Sequence, residues 1–172
     1  MHEFLLRLSR ASRSSRFHGA VNDVSPSFLR RLVSADGERQ AAWVACVWGP
    51  NGEEIVGEAV WYVVEVEHGS AEFAISVRDD WQGQGVADQL MSMLVRAARQ
   101  AQLRQLYGDV MQSNARMLAF LRRHGMEPLF SDPPPEPGVT RIGCSFELPD
   151  APERVAPGGH RRWLARLNLP WT

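Results

Sequence analysis

The stretch Val77-Arg78-Asp79-Asp80-Trp81-Gln82-Gly83-Gln84-Gly85-Val86-Ala87 constrains the fold more than any other part of the chain. Before it the side chains alternate. Phe73, Ile75 and Val77 point one way, and Glu72, Ala74 and Ser76 the other, which predicts a strand over residues 71–78. After it the period changes. Val86, Leu90, Met93, Leu94, Ala97 and Ala101 recur at helical spacing and predict a helix over residues 85–100. A strand that turns into a helix through glycines presents several backbone N–H groups at a helix N-terminus, where the macrodipole favours an anion. Glycine also lets the backbone approach a phosphate without a Cβ in the way. The turn therefore predicts a phosphate or pyrophosphate seat, with a purely structural turn as the rival that glycine content alone leaves open. A dinucleotide fingerprint fits poorly. Asp88 stands where the third glycine belongs, and residues 102–105 offer no acid for a ribose.

The other elements frame this turn. The first forty residues look helical and polar, with Arg7, Arg10, Arg13 and Arg16 spaced by three and read as a solvated surface. Ser25-Pro26 opens a helix expected to reach residue 35. Residues 41–48 and 55–66 are rich in β-branched and aromatic side chains, with a turn at Gly49-Pro50-Asn51-Gly52-Glu53. His68-Gly69-Ser70 makes a second turn. Trp43, Trp48, Trp61 and Tyr62 are expected to pack within the sheet. A short strand at 106–111, a helix at 114–124 closed by Gly125, and a short strand at 126–130 follow. A Pro-rich loop over residues 132–138 leads to an alternating strand at 140–148. In that strand Ile142, Cys144, Phe146 and Leu148 face the core and Arg141, Ser145 and Glu147 point outward.

Composition excludes several chemistries. The 19 basic residues are all Arg, so a P-loop, which needs its Lys, and Schiff-base catalysis through a Lys amine are ruled out. A net charge of -1 gives no bulk attraction to nucleic acid or to an anionic membrane. Cys46 and Cys144 fit no metal or redox spacing, and no run approaches the ~20 apolar residues of a membrane span. The expectation is a reduced, cytoplasmic protein without a metal: one domain over residues 1–150, followed by a C-terminal tail over 151–172.

Combined with its neighbours, the turn resembles the GNAT N-acetyltransferase superfamily, in which a Q/R-x-x-G-x-G/A loop binds the pyrophosphate of acetyl-CoA. Here the loop reads Gln82-x-x-Gly85-x-Ala87. Within the superfamily the chain resembles the catalytic domain of the bacterial Pat-type protein lysine acetyltransferases. The matching pieces are Leu8-Ser9, Ser12-Arg13 and Arg16-Phe17; Ile55-Val56-Gly57; Ala71-Glu72-Phe73-Ala74; the turn itself; and Asn114-Ala115-Arg116-Met117-Leu118, leading to Arg122-Arg123-His124-Gly125-Met126. The resemblance implies an α/β (α+β) GNAT fold, a mixed, mostly antiparallel twisted sheet of about six strands flanked by helices. The strand with which that fold usually opens has no counterpart in the sequence. Either its edge is bare, or the tail or a partner covers it.

The resemblance also assigns roles. Backbone groups of Ile75 and Val77 would pair with the pantetheine arm, and an N–H at or near Ile75 would face the developing oxyanion. The amides of Gln82, Gly83, Gln84, Gly85, Val86 and Ala87 would hold the pyrophosphate. Asn114 would hydrogen-bond the pantetheine. Glu72 would be the general base, because a Lys ammonium of pKa about 10.4 must lose a proton before it attacks. Glu58 and Asp109 are the competing carboxylates. Leu121 occupies the position of a tyrosine that many relatives use as general acid, an absence shared with the Pat-type subset. The implied activity is acetyl transfer from acetyl-CoA to a primary amine in a ternary complex, with a protein lysine as acceptor. The alternatives are a small-molecule amine acceptor and a non-catalytic acyl-CoA-binding sensor or subunit. A homodimer is the candidate self-association.

Overall fold

The computed structural model describes residues 1–17, 39–49, 52–65 and 69–147, with a further strand at 166–168. The helix expected over 25–35 lies outside these residues, as do Pro50, Asn51, His68 and Leu148. Two short helices open the chain, α1 (His2–Arg7) and α2 (Arg10–Phe17). Three antiparallel strands follow, β1 (Gln40–Gly49), β2 (Gly52–Glu65) and β3 (Ser70–Val77). A single turn of 3-10 helix, Asp79–Trp81, leads into α3 (Val86–Gln100). Then come β4 (Gln105–Met111), α4 (Ala115–Arg123), β5 (Glu127–Pro128), β6 (Val139–Ser145) and β7 (Arg166–Asn168). The sheet order is β5-β6-β4-β3-β2-β1-β7, with β3–β4 and β1–β7 parallel and the other pairs antiparallel.

Strand alternation gives the sheet two unlike faces. One carries Trp43, Trp61, Phe73, Ile75, Leu106 and Ile142, and receives Leu90, Met91 and Leu94 of α3 with Phe120 and Leu121 of α4. That is the main core. The register places Gln40, Tyr62, Glu72 and Tyr107 in one row on the opposite face. Here Phe4, Leu5 and Leu8 of the N-terminal helix pack on Ala42 and Val60. Leu5 is fully buried, and burial of a leucine contributes about 1.5–3 kcal/mol. The same face carries the polar side chains of Gln40, Glu58, Tyr62 and Glu72.

Several sequence expectations change in detail. The strand at 126–130 shrinks to Glu127–Pro128, and β6 ends at Ser145. Arg141 does not point into solvent. Its guanidinium lies over the Tyr107 ring and forms a two-pronged ion pair with Asp109, because a planar cation can satisfy a ring and a carboxylate together. Trp43 and Trp61 are buried as expected, but Trp48 is exposed near the end of β1, and Tyr62 lies on the polar face.

Six strands come from residues 40–145, and β7 adds a seventh beside β1, pairing Val44↔Arg166, Ala45↔Leu167 and Cys46↔Asn168. The outer edge of β1 is therefore covered by residues from the chain's own C-terminal segment. Removal of residues 151–172 is expected to expose β1 as an edge. The expected loss is about 2 kcal/mol of pairing, or roughly 4–8 °C in melting temperature. Unchanged melting and unchanged solubility would show that β7 contributes nothing.

Candidate active site

The site begins where two strands part. β3 and β4 pair at only three positions, Ser70↔Gln105, Ala71↔Leu106 and Glu72↔Tyr107. β3 then runs on to Val77 and β4 to Met111 without pairing each other. Gly108 follows the last pair. A Cβ at this position would sit 3.2 Å from the Phe73 carbonyl oxygen and 3.1 Å from its ring, so the close approach before the fork needs glycine. A cavity of about 990 Å³ fills the fork. Ile75 and Val77 line it from β3, and Gly108, Asp109 and Val110 from β4.

The glycine turn closes one end. Gly83 and Gly85 have φ of +79° and +81°, a region that L side chains rarely adopt. Gly85 is the N-cap of α3, so the first amides of that helix have no partner of their own at the cavity end. The side chain of Gln82 ties the turn down. Its Nε2 donates to the Val77 carbonyl at 3.1 Å, and its Oε1 accepts from Arg116 at 2.7 Å. Gln84 reaches back to the Asp80 carbonyl instead. Gln82, Gly83, Gly85 and Ala87 line the cavity, whereas the side chains of Gln84 and Val86 do not. Val86 is buried in the core, and only its backbone is available to the turn. Asn114 lines the far wall. Its Oδ1 accepts from the Met117 amide and caps α4, which leaves the amide nitrogen as the donor it can turn to the cavity.

Glu72 sits at the apex of the fork, half-buried on the cavity wall. The two competing carboxylates are engaged. Glu58 is buried and accepts from Arg16 Nε at 2.8 Å and Ser76 Oγ at 3.0 Å. Arg16, read from sequence as part of a solvated run, has its side chain only 9% exposed. Removing one partner of such a pair typically costs 3–5 kcal/mol. Asp109 lines the cavity but is held by Arg141. Leu121, in the place of the usual phenol, is fully buried.

Sequence reasoning missed two features. Tyr62 stands directly opposite Glu72 in the β2–β3 register and lines the cavity. Burial, and then hydrogen bonding with Glu72, push its phenol well above the usual range. The parity of the strand could have placed it, since Tyr62 shares its face with Glu58. The second feature is the Asp79 clamp. Asp79 accepts from the Ser9 amide and from the Ser9 and Ser12 hydroxyls at 2.8–2.9 Å, so the start of the turn is fastened to the junction of α1 and α2.

This geometry has a counterpart in sequence comparison. The sequence model of the Acetyltransferase (GNAT) family matches residues 11–126. The chain belongs to the GNAT acetyltransferase family. An acetyltransferase of Pseudomonas aeruginosa is 35% identical over 115 residues, covering 67% of this chain and 61% of that protein. The chain thus spans less than two thirds of that relative's length. Among solved structures, the GNAT domain of S. lividans PAT superposes with a TM-score of 0.72 at 21% identity, over 84% of this chain and 82% of that one. A domain from Methanocaldococcus jannaschii gives 0.65 at 10% identity, over 84% and 90%. These superpositions show the GNAT fold. The yncA structure from Salmonella typhimurium, solved with acetyl-CoA, reaches 0.50 at 18% identity over 62% and 66%. The GNAT family uses acetyl-CoA and acts on amine acceptors. No group of three metal-ligating side chains occurs among the described residues, and none of the described helices is long and apolar enough to cross a membrane.

The Asp79 clamp predicts a pH dependence. Partial burial pushes this carboxyl up, but the hydrogen bonds from Ser9 and Ser12 outweigh it and hold the group below its usual value of about 3.9. A depressed carboxyl stabilises the fold above its unfolded pKa, and that contribution is lost as pH falls through the lower folded value. Urea melts between pH 7 and pH 2 should show wild type losing stability below about pH 4. Asp79→Asn should be less stable at pH 7 and show a shallower acid decline. An equally steep decline in the variant would remove Asp79 from the clamp.

Proposed function

We propose that the fork is an acetyl-CoA site and that the chain transfers the acetyl group to a primary amine, with a protein lysine side chain as acceptor. The observation that carries this reading is the unpaired run of β3 beyond Glu72, which borders a cavity with a glycine-bearing helix N-terminus at one end and a carboxylate at the other. Backbone groups that lose their strand partner need another, and the amide-bearing pantetheine arm can serve as a third strand. The open space around Gly83 and Gly85, where an added Cβ meets nothing within 4 Å, leaves room for a pyrophosphate against the amides of residues 82–87. Ile75 and Val77 supply the strand contacts, and Asn114 supplies its amide nitrogen. Bound there, acetyl-CoA supplies a thioester whose acyl carbon accepts the amine nitrogen as the C–S bond breaks.

Glu72 takes the proton. The amine arrives as an ammonium, and its nitrogen has no free lone pair until a base removes a proton. Glu72 is the one cavity carboxylate at the apex, with Glu58 paired to Arg16 and Asp109 to Arg141. Leu121 offers no acid, so the thiolate is protonated from solvent. The acceptor reading rests on the Pat-like motif pieces in the sequence. The polar face around Tyr62 and Glu72 suits a long aliphatic amine that reaches in from solvent.

Glu72→Gln is expected to lower kcat by about 10²-fold or more while acetyl-CoA binding, measured by calorimetry, stays near wild type. Turnover near wild type in that variant would remove Glu72 as the base. Gly85→Val forces a β-branched residue to φ near +81°. It should weaken acetyl-CoA binding at least about tenfold, since such strain is worth about 1–3 kcal/mol. Unchanged affinity would move the pyrophosphate elsewhere. A panel of proteins, peptides and small amines, read by mass spectrometry, tests the acceptor. Acetylation confined to small amines would overturn the protein-lysine assignment. Binding without any turnover would favour an acyl-CoA sensor.

A further inference from the structure

We propose that Tyr62 is a positioning residue for Glu72, its phenol holding the carboxylate in one orientation at the apex of the fork. The proposal rests on the reading of Glu72 as the base. Three observations carry it. The strand register sets Tyr62, Glu72 and Tyr107 side by side across β2, β3 and β4. The chain has only two tyrosines, and both flank this carboxylate. The two are not equivalent. Tyr107 is buried with the Arg141 guanidinium over its ring, 4.5 Å from the centroid, whereas Tyr62 is 39% exposed and lines the cavity. Packing alone would be served by a ring without a hydroxyl. The register sets the phenol beside the carboxylate, where it can donate and so add direction, and burial keeps the proton on the phenol by raising its pKa.

The physical consequence is specific. A carboxylate on a flexible stem points in many directions, and a base must be aligned with the proton it removes. A donor bonded to one oxygen restricts the stem and presents the other oxygen to the fork. The charged and titratable groups around Glu72 are Tyr62 on β2, Tyr107 and Asp109 on β4, Arg141 on β6 and Arg16 on α2. Asp109 and Arg16 are each held in an ion pair. Removal of the Tyr62 hydroxyl therefore takes away a donor while those pairs remain.

The test uses Tyr62→Phe, which keeps the ring. Steady-state kinetics use acetyl-CoA with a lysine-containing peptide. Tyr62→Phe should melt within a few degrees of wild type and lower kcat about tenfold, with KM for acetyl-CoA unchanged. In the Glu72→Gln background the same substitution should have no further effect on kcat. Wild-type kcat in Tyr62→Phe overturns the proposal, and so does a further loss of about tenfold in the Glu72→Gln background. If Glu72→Gln turns over like wild type, the base assignment itself fails.

Discussion

Parallel strands stay together through a regular run of slanted hydrogen bonds, and β3 and β4 make that run for only three residue pairs. Much of the site depends on this short pairing. Up to Glu72 the two strands are one sheet, held by Leu106 and Ala71 in the main core. Beyond it their backbone groups face a cavity instead of each other. A longer pairing would close the fork, and a shorter one would leave Glu72 without a rigid support. At Gly108 the strands are still close, and a side chain there would crowd the Phe73 ring and carbonyl oxygen at 3.1–3.2 Å.

The fork is kept open from outside by polar anchors rather than by apolar packing. Asp79 fastens the glycine turn to Ser9 and Ser12, Arg16 fastens α2 to the buried Glu58, and Gln82 is gripped by Arg116. The N-terminal helices thus form a cavity wall. Their apolar residues Phe4, Leu5 and Leu8 seat them on the sheet, but the serines and Arg16 set their register against the turn. Strong directional bonds suit this task, since they specify position where a hydrophobic contact specifies only burial.

Arginine serves as the cation in the second and third of these anchors, and these 172 residues contain no lysine. A guanidinium is always charged and makes planar two-pronged contacts, as Arg141 does with Asp109 while lying over Tyr107. Without an ε-amine, these 172 residues offer acetyl-CoA no lysine to modify. Their ion pairs would therefore survive a high acetyl-CoA concentration unaltered.

The sequence alone determined what local physics controls. Alternation in residues 71–78, the period change after Gly85 and the Gly125 stop after residues 114–124 are short-range patterns, and β3, α3 and α4 appear where those patterns place them. The glycine turn was legible because positive φ is written into residue type. Tertiary structure decided what depends on neighbours distant in the chain. The pairing of Tyr62 with Glu72, the engagement of Glu58 by Arg16 and the covering of β1 by β7 join residues far apart in sequence. Each turns on strand register, edge pairing or the docking of a helix on the sheet, which composition does not encode. Glu58 and Glu72 are both strand carboxylates facing the same side of the sheet. Burial beside a guanidinium occupies the first, while the open fork leaves the second facing the cavity. That difference arises only when the sheet is assembled, because the cavity exists only between strands that have met and then separated.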